Sequence, residues 1–496
     1  MNKVKLTSLL QGIAKIEESQ DRELVDLFLD SRAIIPGALF IAVTGVTDDG
    51  HEYIAAAVDR GAIAVLCEKE PNTISQESVV TVVVIEDLKN RLGLIADRFF
   101  GSPSSRLKVI GVTGTNGKTT CTQLLAQALN MSSHDNSQKH CAVIGTLGNG
   151  FINDLEPTLN TTPDSITVHR LLAQFADAGA EYVCIEVSSH ALHQGRVDGV
   201  CFSTAVFTNL SRDHLDYHGD MMAYMVSKSQ LFYMPGLRSA VINVDDEYGS
   251  KLYKELKARN EPQLLLLGYA AEQGDIKTNV ISTSEKGLLL SVNMDSKQIE
   301  IECPLFGKFN AMNIAVVLAV LHIEGYRPEE MPAIISQLHP VLGRMECFRA
   351  SNTQPMVIVD YAHTPDALYQ ALESVREHCT GELWCVFGCG GDRDKGKRHE
   401  MGAIADQYAD RVVVTNDNPR TEDPDTIINS IVAAMKHKPV IEKQRRTAIQ
   451  YAVTHARPDD AVLVAGKGHE NYQIIGTEKI LYSDRQTVLD LLREAA

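Results

Sequence analysis

The chain has no apolar run that reaches the roughly 18 residues a membrane span needs. The nearest, Ala311 to Ile323, is interrupted by Asn313 and His322 and reads as a buried helix. The N-terminus carries Lys3 and Lys5 but no sustained apolar core and no small-residue cleavage site, so a signal peptide is not expected. Positive charge is not in excess. A net charge of -17 argues against nucleic acid or an anionic membrane as the main partner, while leaving room for a local basic pocket. The ten cysteines form no C-x-x-C pair, and Cys385 and Cys389 are too isolated to suggest zinc. Several, such as Cys67, Cys184 and Cys303, lie in apolar runs, which predicts reduced core thiols and a cytoplasmic setting. There is no short internal repeat and no low-complexity tract.

What is present is enough for several cores: 496 residues, 44% of them hydrophobic, a length that suggests about three domains. Strand-like runs at Leu39 to Val43, Ala62 to Cys67 and Val79 to Ile85, with a helix-like run from His51 to Arg60, predict a small α/β unit. Gly101 to Ser105 reads as a linker, and the polar run Ser132 to His140 as an exposed loop. A second region extends to about Gly343, with strands at Tyr182 to Val187 and Thr204 to Phe207 and a β-like stretch from Gly287 to Cys303. The third region shows four strand-like runs, Met356 to Val359, Leu383 to Phe387, Arg411 to Thr415 and Ala461 to Ala465, each followed by a polar loop. In a doubly wound sheet such loops gather at the carboxyl ends of the strands and share one crevice.

The most informative stretch is Gly111-Val112-Thr113-Gly114-Thr115-Asn116-Gly117-Lys118-Thr119-Thr120, between an apolar run (Leu107 to Val112) and a helix-like one (Cys121 to Asn130). Strand, glycine loop, Lys-Thr, helix is a recipe for holding polyphosphate: backbone N–H groups crowd the phosphate oxygens, lysine adds charge and the threonine hydroxyl suits Mg²⁺. Val112 stands where the common loop has its first glycine, so this is a variant. Glu186 ends a strand before Ser188-Ser189-His190 and is a candidate Mg²⁺ ligand; the bland alternative is a strand-end glutamate in solvent. The run Thr208 to His218 packs two aspartates and two histidines between Asp213 and His218, a nucleotide–Mg²⁺ loop or a plain polar turn. Lys228, in a helix-like run after Asp220, reads by itself as a surface lysine. In the third region the four loops are Asp360 to Asp366, the glycine-rich, cationic Gly388 to Arg398, Asp417-Asn418-Pro419-Arg420, and Gly466-Lys467-Gly468-His469-Glu470.

Taken together, the variant loop, Glu186 to His190, Asp213-His214-Leu215-Asp216 and Tyr361 to Asp366 resemble the Mur ligases over essentially the whole chain. The Asp417-Asn418-Pro419-Arg420 loop is similar to that of the members that add meso-diaminopimelate; lysine-adding relatives usually lack the arginine. The resemblance implies an α/β protein of three domains: residues 1–103 for the UDP end of the substrate, 104–343 a central P-loop-like domain for ATP, and 344–496 a Rossmann-like domain for the amino acid. It implies an ATP-dependent ligase that joins meso-diaminopimelate to UDP-N-acetylmuramoyl-L-alanyl-D-glutamate through an acyl phosphate, in peptidoglycan synthesis. ATP is then a co-substrate and Mg²⁺ a cofactor, and the expected protein is a monomer with small-molecule partners only.

By position, the resemblance assigns catalytic roles to Lys118, Lys228, Glu186 and His214, and ATP contacts to Gly114, Thr115, Asn116, Gly117, Lys118, Thr119, Thr120, Asn310 and Arg344. Leu29, Ser31, Val46, Thr47, Asn160, Thr161, Thr162, Ser188, Gln194 and Arg196 fall where the family holds the UDP substrate. Val46-Thr47-Asp48 departs from the His-Gln-Ala of some relatives. Arg393, Asp417, Asn418, Pro419, Arg420, Gly466 and Glu470 match the diaminopimelate site. Thr119, Glu186, His214 and Lys228 match the metal set, with Lys228 carbamylated: an ammonium repels Mg²⁺, whereas a carbamate offers it oxygens. Closure over three substrates is expected, with Gly101 to Ser105 and the segment near Gly343 as hinges. Rival readings are another ligase of the superfamily, such as a folylpolyglutamate synthase, and a slow ATP-hydrolysing switch, which would need no amino-acid pocket.

Overall fold

A computed structural model describes residues 3–45, 48–71, 80–131, 140–284, 287–351 and 353–494. By compactness the chain divides into two units, residues 1–110 with 139–203 and 234–236, and residues 111–138 with 204–233 and 237–496.

The first unit contains a parallel four-stranded sheet, Leu27–Phe28, Leu39–Ala42, Ala64–Cys67 and Thr81–Val84 in spatial order. These are the runs predicted as strands, trimmed by a residue or two at their ends, with Leu27–Phe28 added. Leu39–Ala42 and Ala64–Cys67 are buried on both faces, as parallel strands must be. Side chains alternate: Leu39, Ile41 and Leu66 meet Leu92, Ile95 and Phe99 of helix Leu92–Phe99, while Phe40 and Val65 meet Ile54 and Ala57 of helix Ile54–Asp59. The same unit holds strands Asp154–Glu156, Gly148–Phe151, Cys141–Gly145 and Tyr182–Glu186, in that order. Helix Ser165–Asp177, capped by the Asp164 carboxylate on Thr167 N–H, sends Arg170 to Asp26 of the first sheet region (2.7 and 2.6 Å).

Gly101 to Ser105, expected as a linker and hinge, is a fastened turn. Residues Pro103–Arg106 form a 3₁₀ helix, Ser104 is buried, and its hydroxyl accepts from Cys201 N–H at 3.0 Å. The polar run from Ser132 falls outside the described residues except for His140, which is half-buried.

Strand Lys108–Thr113 enters the second unit at Gly111 and strand Phe202–Phe207 at Thr204; after them in the sheet come Ser239–Asn243, Leu265–Ala270 and Ile276–Ser284. The β-like stretch from Gly287 is the antiparallel pair Gly287–Met294 and Lys297–Cys303. Helix Lys118–Met131 starts at the phosphate loop. Helix Asn310–Ile323 packs on it and is buried almost all round, as its apolar run predicts.

A further sheet in this unit runs Glu346–Phe348, Met356–Asp360, Ala461–Ala465, Leu383–Phe387, Arg411–Val414 and Val440–Ile441. All but the first edge pair are parallel. The four predicted strands are therefore adjacent and codirectional, and their polar loops emerge along one edge. The chain leaves Met356–Asp360 and Leu383–Phe387 on opposite sides of Ala461–Ala465, the switch point at which doubly wound sheets bind ligands.

Candidate active site

The phosphate loop is shaped by the loop after the neighbouring strand. Thr115 N–H donates to Asn209 O (2.8 Å) and Asn116 N–H to Asn209 Oδ1 (2.9 Å), while the Thr208 hydroxyl and Asn209 Nδ2 donate to Asn116 O. A side chain at Gly114 would lie 1.9 Å from Thr208 Oγ1, so only glycine fits. Lys118 Nζ curls back to Gly114 O (2.9 Å) and Thr115 O (2.8 Å). Thr119 and Thr120 are buried, and the Thr119 hydroxyl accepts from Arg344 Nη2 (3.2 Å). Buried Arg344 Nε has no hydrogen-bond partner among the described residues. Asn310 receives Asn313 Nδ2 (2.7 Å), and Asn313 Oδ1 lies within 2.9 Å of where a Gly117 side chain would start, so this pair sits under the loop.

Lys228 is not a surface residue. It is 1% exposed, on helix Met221–Ser229, and its Nζ donates to the same Gly114 carbonyl at 2.8 Å, over the Tyr224 ring. Two amines thus converge on one oxygen. Burial, then repulsion from Lys118, drives the Lys228 amine well below the ordinary lysine range. His214, in a left-handed conformation (φ 54°), is lowered to about 4 by burial, partly opposed by Asp213. Burial pushes the Asp213 carboxyl up, but His214, His363 and Lys397 outweigh it and hold it below the usual range. Asn116 Nδ2 donates to Asp366 at 3.0 Å, linking the phosphate loop to the Tyr361 to Asp366 loop.

In the first unit, Glu186 is 1% exposed rather than solvated. Its carboxylate accepts from Thr146 N–H (2.8 Å) and the Thr146 hydroxyl (3.0 Å). Thr161 bonds Thr146 (3.0 Å). Thr162 donates to Glu186 O (2.6 Å) and accepts Ser188 N–H (3.1 Å). Ser188 caps its helix through Ala191 N–H, and Arg196 grips Gln194 Oε1 (2.7 Å) and Thr162 O (2.9 Å). Thr161, Thr162, Ser188, Gln194 and Arg196 are thus one network. Asn160 is exposed nearby in sequence; Leu29 and Ser31 follow strand Leu27–Phe28; Val46 and Thr47 lie outside the described residues.

At the edge of the second unit's further sheet, Arg420 is left-handed (φ 54°), its N–H on Ile474 O (3.1 Å) and its own carbonyl accepting Gly476 N–H (2.8 Å). Its Nη1 reaches Gly391 O at 2.8 Å. Burial, and then the nearby Arg393 charge, lowers the Arg420 guanidinium. Arg420 Nη1 and Arg393 Cγ both lie within 4 Å of where a Gly390 side chain would start, and neighbouring cations suit an anion. Asn418 Nδ2 donates to Glu470 Oε2 (2.9 Å), and Asp417 Oδ2 lies 2.7 Å from where a Gly466 side chain would start. Pro419 O meets the Cα side of Gly391 so closely that a side chain there would come within 1.9 Å.

Sequence reasoning passed over three groups. Arg398, 1% exposed, makes a two-pronged bond to Glu422 (2.7 and 2.7 Å) and reaches Gly390 O (3.2 Å), tying two loops together. Lys467 is wholly buried among Asp417, Asn418 and Glu470. Thr146 orients Glu186. Lys467 did carry a signal, a lysine between two glycines at a strand end; Glu422 and Thr146 carried none.

Three family descriptions match in succession: Mur ligase family, catalytic domain, over residues 26–100; Mur ligase middle domain over 112–321; and Mur ligase, glutamate ligase domain, over 343–468. The chain belongs to the Mur ligase family. As a Mur ligase it is an ATP-dependent ligase, with the α/β architecture in three domains expected of that family. It is 46% identical to the UDP-N-acetylmuramoyl-L-alanyl-D-glutamate--2,6-diaminopimelate ligase of Coxiella burnetii, over 92% of this chain and 93% of that one. It is also 46% identical to the same-named protein of Neisseria meningitidis serogroup A, over 93% of each. A solved structure of a ligase with that name superposes with a TM-score of 0.71 at 34% identity, covering 99% of both chains. The MurF ligase of Thermotoga maritima, solved with ADP, shares the fold at 18% identity and a TM-score of 0.65. Among the described residues of this Mur ligase no helix is long and apolar enough to cross a membrane.

Proposed function

We propose that this Mur ligase joins meso-diaminopimelate to UDP-N-acetylmuramoyl-L-alanyl-D-glutamate at the expense of ATP, in the cytoplasm, as a monomer. The observation that carries the acceptor is the pairing of Arg393 and Arg420 beside Asp417, Asn418 and Glu470. Cations for a carboxylate next to carboxylates for an ammonium suit a zwitterionic end, which lysine's side chain lacks. The names of the relatives point the same way. Domains of 1–103, 104–343 and 344–496 divide the work among UDP substrate, nucleotide and amino acid.

The substrate carboxylate attacks the γ-phosphorus; the bond to the β,γ-bridging oxygen breaks, releasing ADP and leaving an acyl phosphate. The amine of the acceptor attacks the acyl carbon, the carbon–oxygen bond to phosphate breaks, and the nitrogen loses a proton. Such transfer needs charge neutralisation and alignment more than covalent help. Lys118, with Gly114 to Thr120, holds the phosphates, and Asn310 and Arg344 hold the adenylate side. Leu29, Ser31, Val46, Thr47, Asn160, Thr161, Thr162, Ser188, Gln194 and Arg196 hold the UDP substrate.

Thr119, Glu186, His214 and Lys228 serve Mg²⁺, which when bound offsets the charge of the transferred phosphate. The donor chemistry fits: a largely neutral imidazole at His214, and at Lys228 an amine whose hold on its proton is weakened by burial and by Lys118, which favours the free-base form that adds carbon dioxide to become a carbamate. Among the described residues no group of three or more His, Cys, Asp or Glu side chains is gathered where a metal ion could be held.

The test is phosphate release from ATP with the UDP-muramoyl-dipeptide and either diaminopimelate or lysine. Release with diaminopimelate alone is expected. Release with lysine alone overturns the reading of Arg420, and no release with either favours an ATP-hydrolysing switch.

A further inference from the structure

Lys467 is the one charged side chain of the amino-acid loops that solvent does not touch at all: its exposure is 0%. Its Nζ lies 2.9 Å from Asn418 Oδ1, 2.9 Å from Glu470 Oε2 and 3.6 Å from Asp417 Oδ1, with the Tyr472 ring centre 5.7 Å away. A buried ammonium is tolerated only where its protons are met by acceptors, and here they are met by three residues assigned to the acceptor. Lys467 therefore lies behind those residues and acts on them.

It acts first on the Asn418 amide. An ammonium can only donate, so the amide end that faces Lys467 must be the oxygen. The same oxygen accepts Ile474 N–H at 2.9 Å, which uses both its lone pairs. The Asn418 Nδ2 is thereby turned to Glu470, to which it donates at 2.9 Å. It acts second on charge. Asp417 and Glu470 are two carboxylates at one site, and Lys467 offsets one of them, leaving the complement of a single ammonium. Without it, the two carboxylates would lose the cation they share, and the amide would be free to turn over.

We propose that Lys467 is the positioning residue of the acceptor site: it fixes the orientation of Asn418 and the position and charge of Glu470, and so sets affinity for a zwitterionic amino-acid end. The inference rests on the diaminopimelate reading above.

The experiment compares wild type, Lys467→Met, Lys467→Gln, Glu470→Gln and the double variant Lys467→Met/Glu470→Gln in phosphate release, varying each substrate in turn. Loss of charge-assisted hydrogen bonds is expected to raise the diaminopimelate KM about 10- to 100-fold in both Lys467 variants, while the ATP KM changes less than about 3-fold. Because Lys467 acts through Glu470 and Asn418, the double variant should bind diaminopimelate within about 3-fold of Glu470→Gln alone. Multiplying losses in the double variant, an unchanged diaminopimelate KM, or an equal rise in every KM would each overturn the proposal. So would loss of the folded state, followed by thermal melting and ATP binding, in both Lys467 variants. Wild type that responds to diaminopimelate while Lys467→Met matches it sinks only the role of Lys467. Wild type that ignores diaminopimelate sinks the acceptor reading and this inference with it.

Discussion

Arg420 and His214 share an unusual feature: both are non-glycine residues in the left-handed region, at φ 54°. Such conformations cost on the order of 1–3 kcal/mol and survive where the surroundings over-determine them. At Arg420 they do, since its N–H and its carbonyl are both held by residues of hairpin Tyr472–Leu481. In this conformation the guanidinium reaches Gly391 O at 2.8 Å. Replacing Arg420 with alanine should therefore raise the diaminopimelate KM by about 10²-fold, the worth of a charge-assisted pair, with a much smaller change for ATP. Steady-state kinetics with each substrate varied in turn checks this. At the phosphate loop, Gly114→Ala should abolish measurable ATP binding by calorimetry while leaving the circular dichroism spectrum native, because its methyl meets the Thr208 hydroxyl. Residues such as Lys118 and Thr119 were legible because their meaning is local, a strand, a glycine turn and a helix within a dozen positions. Arg398 and Glu422 were not, since they are 24 residues apart and mean nothing until two strand-end loops meet.

The loops belong to the scale of elements. Strands Met356–Asp360, Leu383–Phe387, Arg411–Val414 and Ala461–Ala465 could be read from short apolar, β-branched runs followed by polar loops, and their common edge follows from parallel pairing. Their spatial order could not be read, because nothing within one strand says which neighbour it takes. The order matters: it places the Gly388 to Arg398 loop beside the Asp417 to Arg420 loop, and the Arg398–Glu422 pair stitches them. That stitch joins the two loops that carry Arg393 and Arg420, whose charges repel. The two bonds from Arg398 hold the Glu422 carboxyl down to about 2 from an ordinary 4.5. A depressed acid stabilises the fold above its unfolded value and loses that contribution as pH falls toward the folded one. Glu422→Gln should therefore cost about 2 kcal/mol near pH 6, and the gap from wild type should close between about pH 4.5 and 2. Urea unfolding at several pH values reads it, and a gap that stays constant with pH would count against the stitch.

At the scale of the whole molecule the question is which charges govern its response to acid. The chain carries a net charge of -17, so lowering the pH relieves self-repulsion, which by itself would stabilise it. Surface repulsion is screened within about 8 Å at physiological salt, whereas buried groups are not. Besides His214, two half-buried histidines of the second unit pull the other way. His363 is lowered to about 4, by burial and then by Lys397, and His469 to about 3, by burial and then by Arg344, Arg485 and Lys467. Both are near 6.5 when unfolded, so between that value and about 4 the unfolded chain binds protons that the folded one refuses. Stability then falls as pH falls, by up to about 1.4 kcal/mol per pH unit for each histidine. Relief of repulsion is spread over exposed, screened charges, so the molecule should be more stable at pH 7 than at pH 5 despite moving toward neutrality. His469→Gln removes one of the two protons and should flatten the slope by about half of their joint contribution. Chemical denaturation at pH 7, 6 and 5, wild type against variant, gives both slopes, and a wild-type stability that rises on acidification would show that net charge, not these histidines, sets the acid limit.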